Sequence, residues 1–104
     1  MVRRCTLTAY ILEKDIEDRL VREVKRLGGM ALKFVSPGRA GVPDRIVLLN
    51  GRVRFVELKA PGKKPRPLQV RIFELFAGQG FPVRVVSSPE QVDEFVREMM
   101  QNDI

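Results

Sequence analysis

The stretch that decides the fold is Gly41-Val42-Pro43-Asp44-Arg45-Ile46-Val47-Leu48-Leu49-Asn50-Gly51-Arg52-Val53-Arg54-Phe55-Val56-Glu57-Leu58-Lys59. Two β-rich runs, 44–49 and 52–59, flank the pair Asn50-Gly51. Both of these turn residues tolerate positive φ, so the pattern predicts a β-hairpin. Side chains alternate between the faces of a strand, so Glu57 and Lys59 should project the same way. If the two strands pair, Asp44 can join them.

Two carboxylates with a lysine beside them are suited to metal-dependent cleavage of phosphodiester bonds. The chain contains no histidine, which excludes His-Cys zinc sites, Ser-His-Asp triads and imidazole acid–base chemistry. The single cysteine, Cys5, cannot form an internal disulfide. Hydrolysis would therefore depend on carboxylates, lysine, hydroxyls and a metal. Oxygen ligands favour Mg²⁺, Mn²⁺ or Ca²⁺.

The size and charge of the chain narrow its class. Its 104 residues predict one domain, 1–104, and its net charge is +6. Residues 87–104 hold five acids and only one basic residue, Arg97, so the positive excess lies in residues 1–86. A basic body of this kind indicates a polyanionic partner, or else a surface that only keeps the protein soluble. No apolar run is long enough for a membrane helix, and Met1–Thr8 lead into no secretory core.

Apolar periodicity and turn residues predict the remaining elements. A helix is expected over about 11–27, a strand over 30–35, a second helix over about 68–77 and a short strand over 82–86. Ser88-Pro89-Glu90-Gln91 predicts the start of a last helix, with Ser88 as N-cap and Gln91 completing a capping box. The predicted order is α-β-β-β-α-β-α.

Two polar side chains should point inward. At about 100° of rotation per residue, Glu17 falls in the middle of the apolar stripe of the first helix, and Glu13 lies on that side one turn earlier. A lone buried carboxylate is costly, so Glu17 should join a site at the sheet or form a salt bridge, with Lys33 as one partner. Gln69 also points inward on its helix, where it could bind water or phosphate, or remain a partly exposed amide.

The chain carries, in this order, Glu17, Gly41-Val42-Pro43-Asp44, Glu57-Leu58-Lys59 and Pro67-Leu68-Gln69. This series resembles the virus-type replication-repair nuclease (VRR-NUC) domain of the PD-(D/E)XK nuclease superfamily. The likeness spans roughly residues 13–88, and Gly28-Gly29 and Leu32-Lys33-Phe34 add to it. The resemblance implies an α/β fold with a restriction-endonuclease-like core, in which helices flank a central mixed β-sheet.

The resemblance also implies a metal site. Asp44 and Glu57 would bind the catalytic Mg²⁺ or Mn²⁺, helped by the backbone carbonyl of Leu58. Glu17 would complete the metal shell, directly or through water. Glu13 competes with Glu17 for this role, but Glu17 has the family's spacing to the apolar residues that follow it.

Lys59 and Gln69 would serve the reaction itself, on the same resemblance. Lys59 would position or deprotonate the attacking water and offset charge in the transition state. Gln69 would orient water or the scissile phosphate.

Basic residues around these motifs suggest how DNA is held. No acid occurs between Glu57 and Glu74, and a Pro-rich segment keeps the lysines of this window next to the catalytic strand. Such residues grip phosphates without reading bases, although a solvated loop is the alternative. The candidates for DNA binding are Arg39, Lys63, Lys64, Arg66 and Arg71.

Together these features predict a metal-dependent, structure-selective DNA endonuclease, and the resemblance implies foremost one that resolves Holliday junctions. A flap or nicking endonuclease and a non-catalytic nucleic-acid-binding module are the alternatives. The resemblance implies a homodimer, branched or structured DNA as partner, and a phage or mobile-element origin. The expected location is cytoplasmic. Met99, Met100 and Ile104 could form an apolar contact between copies or pack in the core.

Overall fold

The computed structural model describes residues 11–101 and shows the predicted order of elements. The bounds are α1 Glu13–Arg26, β1 Met30–Lys33, β2 Arg45–Leu49, β3 Arg52–Leu58, α2 Pro67–Gly78, β4 Val83–Val86 and α3 Pro89–Met99. Each element lies within one or two residues of its prediction. Cys5, Met1–Thr8 and Ile104 lie outside the described residues.

A four-stranded mixed sheet in the order β1-β2-β3-β4 forms the centre of the fold. β1 and β3 are antiparallel to β2, and β4 runs parallel to β3. The hairpin prediction is confirmed, because Asn50 and Gly51 both have positive φ, 54° and 73°. This turn fixes a register in which Arg45 faces Val56, so Asp44 comes next to Glu57.

One sheet face, which we call the core face, packs against α1 and α3. The alternation of the strands places Val47, Val56 and Leu58 on this face, and all three are buried. Helices α1 and α3 supply the other half of the core with apolar side chains at helical spacing. These are Ile16, Leu20, Val24, Val92, Phe95, Val96 and Met99.

The opposite sheet face, which we call the α2 face, carries Phe55 and Glu57 and is covered in part by α2. Phe34, Phe55 and Phe76 form a cluster of rings whose centroids lie 5.2–6.2 Å apart. Such aromatic pairs add to the stabilisation from burial. Glu57 stands next to this cluster, so the sheet itself divides the main core from the site.

Local hydrogen bonds define where the helices begin. Ser88 caps α3 as predicted, because its hydroxyl accepts the Gln91 N–H at 3.1 Å. The predicted capping box is wrong in one detail. The side chain of Gln91 accepts from the backbone N–H of Ser87 at 2.7 Å, and so from the residue before the cap. Helix α2 begins with a comparable bond, from the Arg66 N–H to Gln69.

The last turn of α3 decides one open question about the methionines. Met99 is buried at 3% exposure and belongs to the core, whereas Met100 is 41% exposed.

Within residues 11–101, no helix is both long enough and apolar enough to cross a membrane.

Candidate active site

Glu57 lies at the centre of the candidate site. It is the second-last residue of β3, and its side chain is 2% exposed. Its Oε2 accepts a hydrogen bond from Gln69 Nε2 at 2.8 Å and lies 3.2 Å from Lys59 Nζ. Its Oε1 is buried and has no hydrogen-bond partner among residues 11–101. An unsatisfied buried carboxylate oxygen costs free energy, so this atom points to a ligand for the site.

Lys59 and Gln69 hold this carboxylate in place. Lys59 Nζ donates to Gln69 Oε1 at 3.0 Å, and Gln69 Oε1 also accepts the Arg66 backbone N–H at 3.0 Å. Both of these groups can only donate, so the amide oxygen must face them and the amide nitrogen must face Glu57. Gln69 is buried at 6% exposure, which confirms its inward orientation. Gln69 therefore caps the first turn of α2 and orients both Glu57 and Lys59.

Asp44 reaches the site from the residue before β2. Its backbone carbonyl accepts the Phe34 N–H at 2.9 Å, and its Oδ2 accepts the Leu58 N–H at 3.0 Å. The second bond ties the carboxylate to the end of β3, beside Glu57. The N–H and C=O of one residue point to the same edge of a strand, so the Leu58 carbonyl also faces the Asp44 side.

The loop before Asp44 is tightly packed. Gly41 has φ +87°, and a Cβ at this position would lie 3.1 Å from Ile72 and 3.2 Å from Leu68. A side chain would therefore strain the backbone and crowd α2. The Gly41-Val42-Pro43-Asp44 run thus lets the loop lie against α2 before it delivers Asp44 to the sheet.

The electrostatics of the site are those of two acids that repel each other. Burial raises the pKa of Glu57 above its usual range, and the negative charge of Asp44 raises it further. The hydrogen bonds and charge supplied by Lys59 and Gln69 lower this pKa without cancelling the rise. A positive charge between Asp44 and Glu57 would relieve the repulsion.

Glu17 does not have the predicted position. The buried residues Ile16, Leu20 and Val24 centre the stripe of α1 about 60° away from Glu17. The Glu17 side chain borders the core with 26% exposure. It accepts a hydrogen bond from Arg45 Nε at 2.9 Å, so Arg45 is its salt-bridge partner instead of Lys33.

Arg45 explains why Glu17 lies apart from the two other acids. Arg45 is the first residue of β2 and directly follows Asp44. Its side chain projects to the core face, where it also donates to the Ala31 carbonyl at 2.9 Å. Glu57 lies on the α2 face. Within residues 11–101, no three acids stand close enough together to hold one metal ion. Glu13, the alternative acid of α1, is exposed in the first turn.

The residues brought together still fit a hard divalent cation. Asp44 and Glu57 supply carboxylate oxygens, and the Glu57 Oε1 atom lacks any other partner in the described chain. The candidate metal ligands are all oxygen atoms, which is the ligand type that Mg²⁺ and Mn²⁺ prefer. Glu17 would have to leave Arg45, or act through water, to complete the shell.

The predicted DNA-binding residues lie at the surface, on segments that adjoin the site in sequence. Lys63, Lys64 and Arg66 are exposed on the segment between Lys59 and α2, and Arg71 is exposed on α2. Arg39 is exposed on the loop that leads to Asp44. No salt bridge occupies these five side chains within residues 11–101, so their charge is available to an anionic partner.

Arg45 is the residue that the sequence reasoning missed. Its position next to Asp44 is a usable signal, because strand alternation sends it to the face that α1 covers. The sequence therefore places a cationic partner for Glu17 on the strand face that α1 covers.

Comparison with known proteins identifies the family of the chain. The profile of the VRR-NUC domain matches residues 5–90. A protein named "Putative nuclease p44", from Acyrthosiphon pisum secondary endosymbiont phage 1, is 53% identical over 81 residues, which cover 77% of this chain and 87% of that protein. A solved VRR-NUC domain superposes with a TM-score of 0.75 at 37% identity and covers 82% of this chain and 94% of that one. The chain therefore belongs to the VRR-NUC family and is a nuclease domain with a nucleic-acid substrate.

Proposed function

We propose that this nuclease is a metal-dependent, structure-selective DNA endonuclease that hydrolyses phosphodiester bonds, foremost at Holliday junctions. The observation that carries the proposal is the Glu57 carboxylate. It is buried, one of its oxygens lacks a partner within residues 11–101, and a lysine ammonium lies 3.2 Å from the other. A module that only bound nucleic acid would gain nothing from so costly an arrangement.

Asp44, Glu57 and the Leu58 carbonyl would hold the Mg²⁺ or Mn²⁺, and Glu17 would contribute through water or after release from Arg45. When bound, the ion supplies charge that lowers the pKa of water and neutralises phosphate oxygens. Lys59 would place its ammonium beside the reacting phosphate and hold a proton at Nζ. Gln69 would hold the side chains of Lys59 and Glu57 in their relative positions and would orient water or the phosphate.

Metal binding should stabilise the protein through Asp44. At a concentration of about 100 times Kd, a ligand adds about 2.7 kcal/mol to the free energy of unfolding. For a domain of this size the Tm should rise by roughly 10 °C or more. We expect Mn²⁺ to produce this shift in the wild type and not in Asp44→Asn, as measured by differential scanning fluorimetry. Asp18→Asn, which removes an exposed acid of α1, should retain the shift; equal shifts in all three proteins would contradict the metal site.

Lys63 and Lys64 should hold DNA phosphates. Replacing both with alanine should weaken DNA binding and lower the slope of log K against log salt by about 1.8, because each duplex phosphate contact contributes about 0.9. Fluorescence anisotropy at several salt concentrations measures this slope. Arg22→Ala with Lys25→Ala removes the same charge from the outer surface of α1 and should leave the slope nearly unchanged. The same loss in both double variants would show a non-specific effect of net charge.

We propose a homodimer as the working unit. Two active sites related by a two-fold axis suit a four-way junction, which has the same symmetry. Sedimentation equilibrium gives the mass directly. A monomer at concentrations that cut junctions would exclude this part of the proposal.

One substrate panel tests the activity. The protein is incubated with four-way junctions, flaps and linear duplexes in Mg²⁺, Mn²⁺ or EDTA. Paired symmetric cuts that need metal support junction resolution, whereas cuts only at flaps or nicks would replace it with the flap alternative. Binding without cleavage under every condition would contradict the enzyme.

We also propose that the protein acts in the cytoplasm and is encoded by a phage or mobile element. The phage source of a relative with 53% identity supports this origin.

A further inference from the structure

A mostly apolar cavity opens beside the candidate active site on the α2 face. Its volume is about 340 Å³, within the range of small-ligand pockets. The catalytic roles proposed above do not use it. Its walls are formed by Arg39, Phe55, Ile72, Leu75, Phe76, Gln79 and Phe81.

The cavity shares three elements with the active site, namely the loop before Asp44, strand β3 and helix α2. The rest of its wall comes from Gln79 and Phe81, which follow α2. Phe55 precedes Glu57 by two residues on the same face of β3, a spacing of roughly 7 Å. Ile72 follows Gln69 by three residues on α2, nearly one helical turn. Arg39 belongs to the loop that presses against α2 at Gly41 and then delivers Asp44. A strand of nucleic acid that extends from the carboxylates along α2 would reach the mouth of the cavity.

Its apolar walls are partly exposed. Phe81 is 50% exposed and Leu75 is 46% exposed. The Phe81 ring meets Phe55 edge to face, at 88° and 6.0 Å between centroids. An edge-to-face contact leaves much of one ring open to a further flat group. Exposed aromatic surface of this kind is typical of sites that stack nucleobases.

The rim of the cavity is polar where a nucleotide would need it. Arg39 is an exposed cation in the loop, and its guanidinium can pair with a phosphate. Gln79 follows α2 and offers an amide that can both donate and accept. An apolar floor with one cation and one amide at its edge matches a base with its neighbouring phosphate.

We infer that this cavity receives one unpaired nucleobase of the DNA strand whose scissile phosphate lies at Glu57 and Lys59. The inference rests on the proposed nuclease function and deepens it. A second copy of the chain is the other occupant to consider. It is disfavoured because a symmetric contact would bring the Arg39 guanidinium groups of both copies to the same interface.

Such a cavity selects substrates by their unpaired bases. A base in a duplex must be unstacked and unpaired before it can enter, which costs free energy, whereas a base at a branch or in a single strand is already available. Branched DNA would therefore be preferred without any sequence-specific contact. The cavity thus supplies a physical reason for structure selectivity.

An abasic scan in EDTA tests this inference without requiring cleavage. A labelled fork with one unpaired arm is synthesised with a single abasic site at successive positions, and affinity is measured by anisotropy. We expect one position of the unpaired arm to lose about tenfold in affinity in the wild type, as for the loss of one stacked base. In Phe81→Ala, the intact fork should bind about tenfold more weakly, and the abasic site should have no further effect.

Control variants separate the cavity from general effects on folding. Val35→Ala removes an exposed apolar side chain elsewhere and should retain the position-specific loss. Leu75→Ala removes part of the cavity wall and should reduce the position-specific loss of affinity. Thermal melts would show whether each variant is folded. A scan without a sensitive position, or an equal abasic effect in wild type and Phe81→Ala, would overturn the inference. So would a Phe81-dependent mass in sedimentation with unchanged DNA affinity, because a second copy would then fill the cavity.

Failure of this inference is distinguishable from failure of the proposed function. A protein that cuts branched DNA but shows no abasic sensitivity lacks the base site and remains a nuclease. A protein that shows the sensitivity in EDTA but never cuts retains the base site and lacks the proposed activity.

Discussion

Replacing Lys59 with methionine should slow cleavage by about 10³-fold and leave junction affinity nearly unchanged. Methionine keeps much of the length of the side chain but removes the ammonium that lies 3.2 Å from Glu57 and 3.0 Å from Gln69. Removing one group that stabilises transition-state charge or moves a proton typically costs 10²–10⁴ in rate. Single-turnover cleavage with saturating Mn²⁺ measures the rate, and anisotropy in EDTA measures affinity.

A matched lysine makes this result specific. Lys63→Met removes the same charge from the adjacent exposed segment and should weaken binding with little effect on the single-turnover rate. Lys59→Arg retains a cation that is not deprotonated at accessible pH, so its activity separates a purely electrostatic role from proton transfer. If Lys59→Met cuts as fast as the wild type, the role proposed for Lys59 is wrong.

The fold could be predicted largely because its signals are local. Asn50-Gly51 sets a two-residue turn, and strand alternation then places Glu57 and Lys59 on one face without further information. The helix starts depend on single side chains such as Ser88. Each of these features involves residues within a few positions of one another, where propensities and periodicity are informative.

The position of Glu17 could not be predicted in the same way, because it depends on a contact over 28 residues of sequence. The helical wheel placed Glu17 inward, but the stripe is centred on the side chains that the sheet buries, and these are known only once the packing is known. The salt bridge to Arg45 then satisfies the carboxylate without a metal. The inward position of Gln69, by contrast, followed from its place on its own helix.

The cavity on the α2 face also could not be predicted from the sequence. Its walls come from two loops, a strand and a helix, and the rings of Phe55 and Phe81 meet through tertiary packing. Periodicity identifies Ile72 and Phe76 as inward-facing but does not show where their packing leaves space. Voids of this kind depend on side-chain shapes from distant parts of the chain.

Glu57→Gln should have opposite effects on activity and on metal-free stability. The loss of a carboxylate from the metal site should lower the cleavage rate by about 10³-fold, equivalent to about 4 kcal/mol in the activation barrier. In EDTA at neutral pH, however, the variant should melt at a higher temperature than the wild type. The buried charge is gone, while the new amide oxygen can still accept from Lys59 and Gln69.

The pH dependence follows from the direction of the pKa shift. Burial, and then the charge of Asp44, raise the pKa of Glu57 in the folded protein above its unfolded value. The folded state therefore binds the proton of the Glu57 carboxyl more tightly than the unfolded state does. The stability that this proton contributes is complete below the unfolded pKa and is lost as the pH rises through the folded pKa. The advantage of Glu57→Gln in EDTA should accordingly be small in acid and grow toward neutral pH. For a domain of this size, each 1 kcal/mol of relief would raise the Tm by roughly 4–8 °C.

Metal should reverse the order of the two proteins. An ion between Asp44 and Glu57 would remove the repulsion in the wild type, so its Tm should overtake that of Glu57→Gln when Mn²⁺ replaces EDTA. Glu74→Gln removes an exposed acid of α2 and should follow the wild type under both conditions. A variant that melts below the wild type in EDTA would show that Glu57 stabilises the empty site through Lys59. In that case the carboxylate would belong to a structural ion pair with Lys59, and the repulsion that we propose a cation relieves would not destabilise the protein.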